Sequence, residues 1–190
     1  MQSRRSDSKQ LSGLIELISN CNRCKYIDKP YVKYRVCDRY LPDRVRVLVI
    51  SESPPPGFKD SYLYNTNARD RLRRLLSKLM DVSEDEVLNE LYSHGVFWTT
   101  AVKCRPYSRR YINVMRRNCI SILRFEVKIL KPEIIIALGK VADKSINDII
   151  DALSYCRVMK FHHPLYISRF EKYRLKEFRD VICRILLGGG

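Results

Sequence analysis

Four short apolar runs constrain this chain more than any other feature: VRVLVI (45–50), GVFWTTAV (95–102), EIIIALG (133–139) and YCRVMKF (155–161). Each has the length of a buried strand, and segments with helical spacing lie between successive runs. RDRLRRLLSKLM (69–80) is amphipathic with a cationic face, and SEDEVLNELY (83–92) opens on a capping box, Ser83 with Glu86. NVMRRNCISILRFEVKILK (113–131) is a long helix that Pro132 helps end. KVADKSINDIIDAL (140–153) predicts another helix, and SRFEKYRLKEFRDVICRILL (168–187) predicts a single last one. QLSGLIELISN (10–20) adds a helix ahead of the first strand. Strands alternating with helices predict an α/β fold: a central four-stranded parallel sheet covered on both faces, a three-layer α/β/α sandwich. No repeat, linker or low-complexity stretch divides the chain, so one domain over 1–190 is expected. Residues 1–10 and the closing GGG (188–190) are expected to be flexible, and no role is assigned to that tail.

With 45% apolar residues and only 7 Gly and 8 Pro, the chain has the makings of a core rather than of disorder. No apolar run approaches the ~20 residues that cross a bilayer. The opening MQSRRSDSKQ lacks the apolar centre of a secretion signal. A soluble, intracellular (cytoplasmic) protein with no membrane partner is therefore expected. The net charge of +15 calls for a polyanionic partner, most simply nucleic acid, and twelve tyrosines supply flat faces on which bases stack.

In a reducing compartment, paired cysteines serve more often as ligands or catalysts than as disulfides. Cys21 and Cys24 form C-x2-C, and Cys104 and Cys119 form C-x14-C. Four thiolates suit an iron–sulfur cluster or a structural zinc, and the spacing alone does not separate the two. It also leaves open that Cys104 and Cys119 are simply buried small residues, and that Cys37 is a rival third ligand. Cys156 and Cys183 fall in a predicted strand and helix, where core packing accounts for them.

Parallel sheets bind ligands beyond the carboxyl ends of their strands. The loops there read SESPPPG (51–57), KCRPYSRR (103–110), GKVAD (139–143) and HHPLY (162–166). Three prolines stiffen the first loop, and Gly57 allows close backbone approach. Taken alone, Glu52 is either a turn residue or a carboxylate aimed at a ligand. His163 is either a loop histidine or a hydrogen-bond donor, and Tyr64 either a core aromatic or a stacking platform. Lys103, Arg105, Arg109 and Arg110 are candidate phosphate contacts. Arg69, Arg71, Arg73 and Arg74 are weaker candidates, because a helical charge run also makes an ordinary solvated face.

The order and spacing of VLVISESPPPG, TTAVKCRP, RNC, LKPEIIIALGKVA and FHHP resemble the uracil-DNA glycosylase superfamily, in particular its family-four, thermophile-type branch. The resemblance spans roughly residues 11 to 185. It implies a four-iron, four-sulfur cluster on Cys21, Cys24, Cys104 and Cys119 in a structural role, with zinc as the alternative. It places Glu52 and His163 at the catalytic centre, and Ser53, Tyr64, Thr100 and Pro164 around the base. Tyr62 is a substitute for Tyr64, which is usually Phe in the family. Lys103, Arg105, Arg109, Arg110 and Arg169 are implied on the DNA side. The expected partner is DNA with a damaged base, bound by a monomer.

Two positions depart from the family pattern. Ser53 stands where the best-known branch has a catalytic Asp. Thr100 stands where the family has an Asn, whose amide offers a donor and an acceptor to uracil's O4 and N3–H. The expected activity is hydrolysis of the N-glycosidic bond of a flipped-out deaminated base, uracil foremost, leaving an abasic site without lyase chemistry. The departures keep three alternatives open: a glycosylase for another deaminated base such as hypoxanthine, a non-catalytic iron–sulfur nucleic-acid-binding protein, and a zinc-stabilised interaction protein.

Overall fold

The computed structural model describes residues 2–187, with side chains from 10 to 186. Met1 and the closing 188–190, to which no role was assigned, lie outside the described residues. Helix α1 runs over Gln2–Asn20, starting well before the first apolar periodic position. Its Leu14 and Ile18 are fully buried. Two short helices follow, α2 (Pro30–Lys33) and α3 (Val36–Tyr40). Neither is long enough to show a helical period, and the sequence pattern does not reveal them.

The four apolar runs become β1 (Val47–Ser51), β2 (Val96–Thr100), β3 (Ile134–Leu138) and β4 (Arg157–Phe161). They form one parallel sheet in the order β2-β1-β3-β4. Strands β1 and β2 are buried along their whole length, whereas β4 is the half-wet edge. The chain steps outward from β1 to β2, then back across to β3 and on to β4. That reversal of winding puts helices on both faces of the sheet. On one side α1, α6 (Ile112–Leu130) and α7 (Lys140–Asn147) touch one another. On the other, α4 (Arg71–Met80) meets α5 (Val87–Ser93), α8 (Pro164–Phe170) and α9 (Leu175–Leu187). The expected three-layer sandwich is therefore the observed fold. Among the described residues no helix is long and apolar enough to cross a membrane.

Helix boundaries follow local chemistry. Asp70 caps α4 by accepting from the Leu72 and Arg73 amides at 2.9 Å, so that helix begins two residues later than the charge run suggests. Ser83 and Glu86 form the expected capping box. Helix α7 stops at Asn147, and Ile150–Ala152 is a 3₁₀ turn. The single last helix expected over 168–187 is instead two. Pro164 starts α8, since its missing N–H costs nothing in a first turn, and His163 caps it. The chain leaves helical geometry at Glu171 (φ −134°, ψ 51°), whose carboxylate turns back to His162 Nδ1 at 2.8 and 2.9 Å.

Candidate active site

The pairing of β1 with β2 sets Ser51 opposite Thr100 at the carboxyl edge of the sheet. Both are buried, at 6% exposure. They form part of the floor of a cleft of about 530 Å³. The β1 loop contributes Ser53 and Pro55 to it, the following segment Tyr62 and Tyr64, and the start of α8 His163 and Leu165. The segments after β1 and β4 and the end of β2 itself thus converge on one cavity.

Strand β2 is the sheet edge here, so one side of its backbone has no strand partner. Tyr64 supplies one: its hydroxyl donates to the Trp98 carbonyl at 2.8 Å and accepts from the Trp98 N–H at 3.1 Å. Its ring packs on Tyr40 (centroids 5.0 Å apart) and Tyr62 (5.8 Å). Tyr62 stacks in turn on Tyr34 at 5.6 Å. Both tyrosines line the cleft, and both are less than a tenth exposed. Thr100 Oγ1 donates to the Val102 carbonyl at 2.8 Å. Ser51 Oγ donates to the Thr99 carbonyl at 3.2 Å and accepts from Trp98 Nε1 at 3.3 Å.

His163 Nδ1 accepts the Leu165 N–H at 3.3 Å, which leaves Nε2 to carry the proton of the neutral ring. Burial pushes the imidazole pKa down to about 4, the positive charge of Arg109 adds to the shift, and Asp70 opposes it. The ring is therefore neutral, with an N–H donor, across the physiological range. Glu52 lies between the cleft residues Ser51 and Ser53 in sequence but does not itself line the cleft, and Arg109 Nη2 donates to both of its carboxylate oxygens at 3.0 Å. Arg109 thus bears on both proposed catalytic side chains, held by one and shifting the other.

The cations sort into two groups that the sequence does not distinguish. Lys103 and Arg105, expected on a phosphate-facing rim, are each only 1% exposed, and this corrects that expectation. Lys103 Nζ donates to Thr99 Oγ1 at 2.6 Å and pairs with the carboxylate of Glu126, itself fully buried. Glu126 also accepts from Tyr31 and Thr99 hydroxyls at 2.9 Å. A buried charge needs such partners, because desolvation without them costs several kcal/mol. Arg105 pairs with Asp28 at 2.9 Å and donates to the Pro55 carbonyl at 2.9 Å, tying the cysteine loop to the proline loop. Gly57, at φ 81°, adds a backbone bond to the Pro106 carbonyl at 2.9 Å. Arg73 is buried as well, bonded to the Leu63, Asn65 and Ala68 carbonyls.

Lys59, Arg69 and Arg71, by contrast, line the cleft in exposed positions, with no ion pair or hydrogen bond among the described residues. Arg74 pairs with Glu84 at 3.0 Å, Arg110 lies over the Tyr111 ring at 4.8 Å, and Arg169 over the Phe170 ring at 5.1 Å. Pro164 is buried directly behind His163, at the first position of α8.

Three of the four cysteines of the two spacings share one corner, while Cys21 packs against the main core and still bears electrostatically on Cys104. Cys104 and Cys119 pack with Val102 and Met115, and Cys24 packs against them. Burial raises the Cys104 thiol to about 12; Cys119 adds to this, with smaller contributions from Cys21 and Cys24. Burial also raises Cys119. Two buried thiols, Cys104 and Cys119, hold negative charge readily only with a cation beside them, which is the chemistry of a soft-metal donor set. Among the described residues, however, no three His, Cys, Asp or Glu side chains are arranged to hold one metal ion. Cys37 is not the rival ligand: its thiol donates to the Tyr31 hydroxyl at 3.1 Å in the Glu126 network.

The family model of the Uracil DNA glycosylase superfamily matches residues 39–186, well over half the chain. The chain belongs to the uracil-DNA glycosylase superfamily. It is also 28% identical over 145 residues to a type-4 uracil-DNA glycosylase of Pyrobaculum aerophilum, a match covering 74% of this chain and 66% of that relative, just under two thirds of its length. Both findings support the family-four branch. In this member of the superfamily, sequence reasoning missed two features of the site. Asp70 and Ser61 lie in the cleft wall, joined at 2.7 Å, and Glu126 comes from the middle of α6 to neutralise Lys103. A carboxylate on the apolar face of a predicted helix was the available sign for Glu126.

Proposed function

We propose that this protein is a monofunctional DNA base-excision glycosylase that hydrolyses the N-glycosidic bond of a flipped-out deaminated base, uracil foremost. One observation carries the reading: a neutral, half-buried His163 with its Nε2 proton free stands in the same cleft as Ser51, Ser53, Tyr64 and Thr100. Breaking the bond leaves negative charge on the base and positive charge on the sugar. His163 Nε2–H donates to a carbonyl of the departing base and stabilises the anion. Glu52, at the cleft's edge, supplies negative potential to the sugar or orients the attacking water, and Arg109 fixes its carboxylate beforehand. Ser53 donates to the Pro54 carbonyl at 2.9 Å and is no general base, and the cleft carboxylate of Asp70 is engaged by Ser61 and two helix amides, so this task is assigned to Glu52. Tyr62 and Tyr64 wall the base, and Pro164 holds His163 in register.

Lys59, Arg69 and Arg71 bind phosphates, with Arg109, Arg110 and Arg169 on the same DNA side. Cys21, Cys24, Cys104 and Cys119 would hold a four-iron, four-sulfur cluster, with zinc as the alternative, and such a group supplies a structural cross-link. The chain acts as a single domain and a monomer inside the cell.

Incubation with oligonucleotides carrying uracil, hypoxanthine or xanthine tests the reading. Abasic product from the uracil strand is expected, and Glu52→Gln lowers the single-turnover rate on the order of a hundred-fold. Product from none of the three favours a non-catalytic nucleic-acid-binding protein. The purified protein is expected to be brown, and Cys104→Ser to lose the colour; a colourless protein holding stoichiometric zinc favours zinc.

A further inference from the structure

Five of the six side-chain hydroxyls that line the cleft share a property that no single one reveals. Each is bonded to a group that can only accept, so each has given up its proton within the protein. Thr100 donates to the Val102 carbonyl, Ser51 to the Thr99 carbonyl and Tyr64 to the Trp98 carbonyl, at 2.8, 3.2 and 2.8 Å. Ser53 donates to the Pro54 carbonyl at 2.9 Å. Ser61 donates to Asp70 Oδ2 at 2.7 Å. A hydroxyl with its proton engaged offers a ligand only lone pairs. The indole N–H of Trp98 is spent on Ser51 in the same way. These five hydroxyls are thus acceptors, and the free donors are the Tyr62 hydroxyl, which has no hydrogen bond among the described residues, His163 Nε2 and the cations of the exposed mouth.

We propose that Thr100 is a specificity-determining residue that accepts a hydrogen bond from a ring N–H of the bound base, so that Thr100 selects lactam and imide bases by that N–H and does not itself read the neighbouring exocyclic oxygen. This deepens, and rests on, the glycosylase reading of the cleft. An amide at this position offers a donor and an acceptor side by side. Thr100 in this bonding state offers one acceptor, because its only proton is held by Val102. Uracil, hypoxanthine and xanthine all present an N–H between or beside carbonyls, and all meet that requirement. A base whose ring nitrogen carries a lone pair instead faces the lone pair of Thr100 and leaves two buried acceptors unpaired, a costly arrangement. The exocyclic carbonyl that an amide donor would hold gets no side-chain partner from Thr100. Discrimination among deaminated pyrimidines and purines is therefore broader than an amide would give.

The test is binding of oligonucleotides carrying a non-hydrolysable 2′-fluoroarabino nucleotide with either uracil or 2-pyrimidinone, whose N3 has no hydrogen and adds no bulk. Wild type is expected to bind the uracil probe on the order of ten-fold tighter. Thr100→Val keeps the shape, removes the acceptor, and is expected to bring the two affinities within about two-fold of one another. Thr100→Ser is expected to keep the preference. Equal binding of both probes by wild type, or a preference that survives Thr100→Val, overturns the proposal. If Thr100→Val does not fold, the wild-type ratio and the Thr100→Ser ratio still decide it: loss of the preference in Thr100→Ser, which keeps the acceptor, overturns it as well. The probes are not cleaved, so the result stands apart from excision. A protein that discriminates the probes but releases no uracil from ordinary strands counts against the glycosylase chemistry and leaves Thr100's role standing.

Discussion

The cysteine corner and the cleft sit on either side of the loop that follows β2, and they treat charge in opposite ways. In the corner the two buried cations that flank Cys104 are paired: Lys103 with Glu126, and Arg105 with Asp28 and two carbonyls, although Arg105 Nη2 is left buried without a partner. In the cleft the cations Lys59, Arg69 and Arg71 have no partner among the described residues. Lys103 and Arg105 flank Cys104 in sequence, yet they are architecture, whereas the exposed cations across the cleft keep their charge free, as the proposed function requires of a surface that meets a polyanion. The difference teaches that a basic residue announces a nucleic-acid contact only when its charge is left unsatisfied. A guanidinium buried at 1% exposure, as in Arg105, is out of reach of a phosphate.

Removing one partner in the corner is expected to have the largest effect. Glu126→Ala leaves the Lys103 ammonium buried and unpaired, and is expected to cost about 3–5 kcal/mol of stability in chemical denaturation. A loss under 1 kcal/mol, no larger than a surface ion pair, would break the contrast, because it would mean the pair is effectively wet.

On the cleft side, acid should act through His163. Its folded pKa, about 4, lies below the ordinary histidine value near 6.5. The unfolded chain therefore takes up a proton that the folded one refuses. The resulting loss of stability is absent above pH 6.5, grows as pH falls toward 4, and is constant below that. It amounts to at most about 3 kcal/mol, less for a half-buried ring. Denaturation midpoints of wild type and His163→Gln between pH 7 and 4 check it: the variant should lose less over that window. Parallel curves would mean that the ring protonates freely and is not held neutral.

The smallest expected effects are those of the free cations. Arg69→Ala and Arg71→Ala should each weaken oligonucleotide binding by about 1 kcal/mol and reduce the salt slope by about 0.9, with melting temperature unchanged. Measurement of affinity across a salt series sharpens the comparison. An unchanged slope would move the phosphate track elsewhere, toward Arg109, Arg110 and Arg169.

Much of the fold is readable in the chain because strand and helix differ in period, and four buried strands cannot hide their apolar runs. The split of the last helix was not readable, since its cause is a contact between Glu171 and His162, nine residues apart in sequence but adjacent in space. Glu52, His163 and Thr100 could be picked out because motif and strand-end position coincide. Asp70 and Ser61 could not, because an N-cap looks the same whether or not a cavity lies beside it.

By itself the sequence determined the strand order's raw material, the cysteine spacings and the family. Those are properties of local pattern, and local pattern survives in one dimension. Only the tertiary structure decided which cations are buried, which aromatic seals the edge of β2, and where each hydroxyl proton goes. Satisfaction of a polar group depends on what stands within three ångströms of it, and neighbours at that range come from anywhere in the chain.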